Sequence, residues 1–199
     1  MDRATEYFDR QASGYLEASE RWPWSWLRGS ERAGVLGLVG QIPGHDLLEL
    51  GSGAGYYTHA ALVHGAKHVW AVDRSAEMLR QIRSDRVTTV LGDIATVQVP
   101  RTFPAILAAG VFEFVDSARD VLANAARHAD DDAWLVVLYS TPNWWGRGFR
   151  YFHARHGVHI HLYRQGEFDA AAASAGWIPV DARRCGMCCI AARYRKAPR

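Results

Sequence analysis

The densest concentration of chemistry-bearing residues in this 199-residue chain is Leu47-Leu48-Glu49-Leu50-Gly51-Ser52-Gly53-Ala54-Gly55-Tyr56-Tyr57-Thr58. An apolar run leads there into a glycine-rich turn and then into a helix-compatible stretch. Glycine permits unusual backbone angles and lets a ligand approach the main chain. Unpaired N–H groups at the helix start favour an anionic group. Asp73 closes the next apolar run, Val69-Trp70-Ala71-Val72-Asp73, 22 residues after Gly51. An acid at that place can accept from both hydroxyls of a ribose. Leu91-Gly92-Asp93-Ile94 ends a third run, where Asp93 suits an exocyclic adenine amine. Ala109-Gly110-Val111-Phe112-Glu113-Phe114 ends a fourth, at the carboxyl edge where ligands of open α/β sheets gather. Glu113 reads equally as a loop charge in water and as a site residue. A nicotinamide fingerprint would need Gly or Ala at position 56, which is Tyr56 here.

The elements that position these residues alternate. Strands are expected at Asp46–Leu50, 69–73, Val87–Leu91, Phe103–Ala109 and 134–140, with helices at 56–64, 76–83 and 117–128. That alternation argues for parallel βαβ units with helices on both faces. Asp130-Asp131-Asp132 reads as a turn. An alanine-rich helix at 166–175 is closed by Gly176. Two extended runs, 177–184 and 187–194, then meet at Cys185-Gly186. So short a connection forces them antiparallel. Ahead of the sheet, Tyr7, Phe8, Ala12, Tyr15 and Leu16 have helical spacing within 3–20. Trp22-Pro23-Trp24-Ser25-Trp26 breaks the pattern, and a helix resumes over 29–40, with Pro43-Gly44 as a turn. We expect one domain over 1–199: a helical cap over 1–44 on a Rossmann-like core over 45–199, with a seven-stranded, mostly parallel sheet and an antiparallel C-terminal hairpin.

The four motifs, in this order over about 46–140, resemble the class I S-adenosylmethionine (SAM)-dependent methyltransferases, of the small-molecule type. The resemblance implies an enzyme that binds SAM. Glu49 and the glycine turn of Gly51, Ser52, Gly53 and Gly55, together with Gly110, would surround the methionine portion. Asp73 would hold the ribose, Arg74 and Met78 would border the adenine, and Asp93 with Ile94 would read its edge. In such enzymes an N-terminal tyrosine covers the cofactor, and Tyr15 fits that place. The acceptor half is less legible. Its candidate residues are Trp22, Trp24 and Trp26, and the stretch 143–164 with Trp144, Trp145, Tyr151, Phe152 and four histidines. That stretch, basic through Arg147, Arg150, Arg155 and Arg164, would fold over the pocket and take an aromatic or partly anionic small molecule. His153 and His156, three apart on a helix, are the expected catalytic bases.

Composition narrows the classes. Hydrophobic residues at 49% and charged residues at 22% are those of an ordinary globular chain. A net charge of +2 does not suggest a general nucleic-acid binder. No apolar segment approaches the ~20 residues of a membrane span, so no membrane is expected. The N-terminus lacks the pattern of a signal peptide. Three cysteines clustered at Cys185, Cys188 and Cys189 argue against a disulfide framework and for a reducing, cytoplasmic setting. Cys188 and Cys189, adjacent on an expected strand, would point to opposite faces, so no metal site is expected. The competing readings are methylation of RNA or protein, aided by the basic tail 193–199, and a non-catalytic binding module. The motifs leave the acceptor, the methylated atom and the oligomeric state open.

Overall fold

The computed structural model describes residues 3–15, 24–40 and 44–198. Seven strands form one sheet: β1 (Asp46–Leu50), β2 (His68–Asp73), β3 (Val87–Leu91), β4 (Phe103–Ala109), β5 (Ala129–Ser140), β6 (Trp177–Cys185) and β7 (Cys189–Lys196). Their order is β3-β2-β1-β4-β5-β7-β6. The first five are parallel, with Leu48 paired to Trp70 on one side and Ile106 on the other. β7 runs antiparallel to both β5 and β6. The architecture is the Rossmann-like sheet with an antiparallel ending.

The central strands are mostly apolar because both faces are covered. On one face, Leu48, Leu50, Ile106 and Val137 pack with Val121 and Leu122 of α5 (Ala118–Arg127) and Phe168 and Ala172 of α7 (Gln165–Ser174). On the other, Leu47, Val69, Leu107 and Val136 meet Val35 and Leu38 of α2 (Trp24–Val39) and Ala61 and Leu62 of α3 (Tyr56–Val63). From β1 the chain winds outward to β3, then returns to place β4 on β1's other side. This reversal opens a crevice at the carboxyl ends of β1 and β4, the place such sheets offer to ligands. Over it lies α1 (Arg3–Gln11), continued by a 3₁₀ turn at Ala12–Gly14.

Several expected boundaries shift for physical reasons. α2 starts at Trp24, five residues before the expected 29, because a proline restricts the residue before it rather than those after. The helix expected at 76–83 ends as α4 (Ala76–Leu79). Bonds from Gln81 N to Met78 O and Ile82 N to Leu79 O tighten the next turn and bury Ile82. Asp130, Asp131 and Asp132 are not a turn; they lie within β5. There β5 advances from Ala129 to Trp134 while β4 advances only from Phe103 to Ala105, an irregularity that absorbs the acids. The hairpin connection is Gly186–Met187–Cys188, and β7 begins only at Cys189. Cys188 is therefore a turn residue, and its Sγ lies 3.9 Å from that of Cys189 rather than across the sheet. Leu16, Trp22 and Pro43 lie outside the described residues, as does the side chain of Trp24. Among the described residues, no helix is long and apolar enough to cross a membrane.

Candidate active site

The crevice holds a cavity of about 100 Å³ that opens to solvent, the kind of concave place that ligands take. Its floor is the glycine turn. Gly51 has φ +77°, and a Cβ there would come 2.4 Å from Cγ2 of Val111. Only glycine lets the turns after β1 and β4 approach this closely. An added Cβ on Gly53 or Gly110 would meet nothing within 4 Å. The backbone at these two lining positions is therefore open to a ligand.

Asp73 ties the floor to the wall. Its Oδ2 accepts from Gly53 N at 2.7 Å and its Oδ1 from Ser75 N at 2.9 Å. Burial pushes this carboxyl above the usual range, against the pull of those N–H groups and of Arg74. Each oxygen keeps a lone pair for a further donor. Ser75 caps α4 by accepting from Met78 N at 3.0 Å, and its hydroxyl also donates to Asp9 of α1. The helix over the cavity is thus fastened two residues from Asp73.

Arg28 of α2 completes the far wall. It donates to Tyr15 Oη at 2.7 Å, and its guanidinium lies 5.6 Å from the ring centres of both Tyr15 and Tyr56. Tyr15 and the acid Glu31 hold this cation in its charged form. Phe8, Tyr56, Tyr57 and Phe114 supply aromatic wall. The hydroxyls of Ser52 and Tyr57 are buried without a hydrogen-bond partner among the described residues, and both residues line the cavity. A buried hydroxyl needs a partner, so these two fit a polar ligand.

Of the expected cofactor residues, Tyr15, Gly51, Ser52, Gly53, Asp73, Arg74, Met78, Ile94 and Gly110 all line the cavity. Glu49, Gly55 and Asp93 do not. Glu49 lies beneath the turn, fully buried, accepting from Thr58 Oγ1 at 2.5 Å. Burial pushes its carboxyl up to about 8. Gly55 is the start of α3, facing Ile82 and His59. Asp93 is half exposed; its Oδ1 accepts from Ala95 N at 2.8 Å and its Oδ2 stands 4.0 Å from Arg74. Glu113 is not a solvated charge: it is buried, and its Oε1 accepts from Ser140 N at 2.7 Å, fastening the end of β5.

The structure also places the expected bases away from the cavity wall. His153 is buried in α6 (Trp144–Arg155) among Tyr7, Phe114, Phe149 and Phe152. Burial lowers its imidazole to about 4. His156 is exposed at the end of α6, with Nδ1 2.9 Å from Phe152 O. No residue of the stretch 143–164 lines the cavity; its Phe149, Val158, Ile160 and Leu162 pack instead with Ala4 and Tyr7 of α1. Trp26 is 68% exposed, on the surface of α2. Arg28, Asp9 and Thr5 are contributors that sequence reasoning missed. One signal was available for Arg28: Arg28, Glu31 and Val35 share one helix face, and two charges on a core-facing stripe call for a reason.

Residues 48–137 match the family described as Methyltransferase domain (Methyltransf_11). That stretch, from β1 through β5 with the turns that build the crevice, matches a methyltransferase domain. No curated protein sequence matches it. Solved structures share the fold at low identity. One chain of the complex between the Haloferax volcanii Trm112 methyltransferase activator and a methyltransferase superposes with TM-score 0.80 at 14% identity, over 96% of this chain and 98% of that one. Magnesium protoporphyrin IX methyltransferase from Synechocystis PCC 6803, with S-adenosylhomocysteine (SAH) bound, gives 0.77 at 13%, over 98% of both chains. The N-methyltransferase NodS from Bradyrhizobium japonicum WM9, also with SAH, gives 0.73 at 16%, over 98% of this chain and 99% of that one. The methyltransferase cofactor is SAM, and the lone pairs of Asp73, the open backbone at Gly53 and Gly110 and the orphaned hydroxyls suit its mix of ribose, amino acid and base.

Proposed function

We propose that this methyltransferase modifies an O, N or C atom of a small molecule that is aromatic or partly anionic. The observation that carries this reading is the cavity wall, where the Arg28 guanidinium lies against the rings of Tyr15 and Tyr56 and where Phe8 and Phe114 add further aromatic surface. Rings favour a flat acceptor and the cation favours an anionic one. Two structural neighbours bear names of small-molecule or N-methyl transfer, which supports the class. The chain acts as one domain over 1–199, with 1–44 as its cap. Its free thiols suit a cytoplasmic setting. Secondary metabolism or cofactor biosynthesis is compatible with such an acceptor.

SAM supplies a methyl group already activated by a sulfonium. The protein's task is to align it with the acceptor and exclude water. In this reading Asp73 accepts from the ribose hydroxyls, and Arg74, Met78, Ile94 and the nearby Asp93 border the base. Gly51, Ser52, Gly53 and Gly110, supported by Glu49 and Gly55, hold the amino-acid portion. Tyr15, held by Arg28, closes the cavity. His153 serves packing, because an imidazole enclosed by four rings does not reach the cavity; His156 stands in solvent.

Calorimetric titration with SAM, SAH and NAD, followed by methyl transfer to a panel of aromatic acids and amines, tests the proposal. SAM and SAH should bind, NAD should not, and at least one small acceptor should turn over. Transfer only to RNA or protein would overturn the small-molecule reading. His153→Phe should keep transfer within a few-fold of the parent. A loss of ~100-fold with SAM affinity intact would instead assign His153 to proton transfer.

A further inference from the structure

Helix α6 carries two apolar faces. Phe149 and His153 turn inward. Trp144, Trp145, Tyr151 and Phe152 face solvent, exposed by 91%, 61%, 65% and 52%. At 100° per residue these four share one side of the helix, with Gly148 and Arg155 between them. Arg147 borders that side, exposed and without an ion-pair partner among the described residues, whereas Arg150 lies farther round the helix, next to the inward face. Arg155 lies over the Tyr151 ring at 5.7 Å. No acidic residue occurs from Ala133 to Gly166. Four large exposed rings on one helix exceed what a soluble surface ordinarily shows.

We propose that α6 is a membrane-surface helix that docks the enzyme on a bilayer containing anionic lipid. Rings on the exposed side of a helix, with Arg155 among them and Arg147 at their edge, are the pattern of an interfacial helix. Indole and phenol rings settle at the headgroup level, and guanidinium groups pair with lipid phosphate. The rings stand on a convex helix. Single-stranded nucleic acid, by contrast, is held in a groove whose floor stacks the bases. The sequence lacks a membrane span, but surface docking needs none. The position also matters: Tyr7 of α1 packs on His153 and His156, while Ala4, Thr5 and Phe8 of the same helix line the cavity. Docking through α6 therefore sets the cavity's cover beside the bilayer, where an aromatic acceptor would concentrate.

The test is flotation of the full chain with phosphatidylcholine vesicles, with and without phosphatidylglycerol. The parent should float with the anionic vesicles, show a blue-shifted tryptophan emission and detach at high salt. Trp144→Ser combined with Trp145→Ser should abolish flotation. Arg147→Gln with Arg155→Gln should lower partitioning about fivefold for each arginine. SAM affinity and melting should stay unchanged in both, which separates this test from that of the methylation reading. Failure of the parent to float overturns the proposal. So does a concentration-dependent dimer lost in the tryptophan variant, or an RNA gel shift without vesicle binding; each would assign the face to another occupant.

Discussion

At the scale of single residues, the site turns on groups that do two things at once. Asp73 holds the turn through Gly53 and Ser75 while keeping lone pairs toward the cavity. Asp73→Ala should weaken SAM by roughly 100-fold, the loss of two hydrogen bonds to a charged acceptor; calorimetry checks it, and parent-like affinity would displace the ribose from this place. Glu49 yields a prediction in pH. Its carboxyl rises from the ordinary 4.5 to about 8 through burial, with Asp73 adding to the rise and Thr58 opposing it. Between those values the folded protein keeps a proton that the unfolded chain has released. Stability should therefore fall as pH rises across that window, by up to ~1.4 kcal/mol per pH unit for one proton. Glu49→Gln should flatten the slope, read from urea midpoints at a series of pH values. An unchanged slope would mean that Glu49 is already ionised when folded.

At the scale of elements, two short contacts decide where helices sit. Ser75 caps α4 and binds Asp9 of α1. Ser75→Ala should cost about 1 kcal/mol for the cap alone and also loosen α1, so urea stability and SAM affinity should fall together. A loss of stability with unchanged affinity would show that α1 does not depend on this clasp. Gly146 plays the matching part for α6: an added Cβ would stand 1.9 Å from the Thr141 carbonyl oxygen. Gly146→Ala should cost ~1–3 kcal/mol through the forced shift, measured by chemical denaturation. The five parallel strands and their helices were legible because burial on two faces makes apolar runs and because capping residues and glycines punctuate them. Ser117, which accepts from Asp120 N, is one such signal. The site's floor was legible for the same reason: a turn at a strand end is a local feature. Arg28 and Asp9 were not, since their partners lie 13 and 66 residues away and no local pattern encodes that pairing. His153 misled because helical spacing shows which residues share a face, not whether that face meets a cavity or a ring of aromatics.

At the scale of the whole molecule, the two sides of the cavity differ in how they are held. The floor belongs to the sheet and its two large cores. The cover is α1, attached through two small clusters, Ala4 with Val158 and Ile160, and Ala12 with Ala54 and Met78. A segment with few buried apolar contacts opens at lower free energy than the core. A ligand that touches both sides binds only the closed arrangement, so it stabilises the cover most. At 100 times its dissociation constant SAM should add about 2.7 kcal/mol to global stability, a rise of roughly 5–11 °C in melting temperature for a chain of this size. The amide exchange of α1 should slow by a larger factor than that of α5, none of whose residues lines the cavity. Hydrogen exchange followed by mass spectrometry, with and without SAM, reads both at once. Slowing confined to the glycine turn, with α1 unchanged, would mean that the cofactor rests on the floor alone. Tyr15 and Arg28 would then serve the acceptor instead.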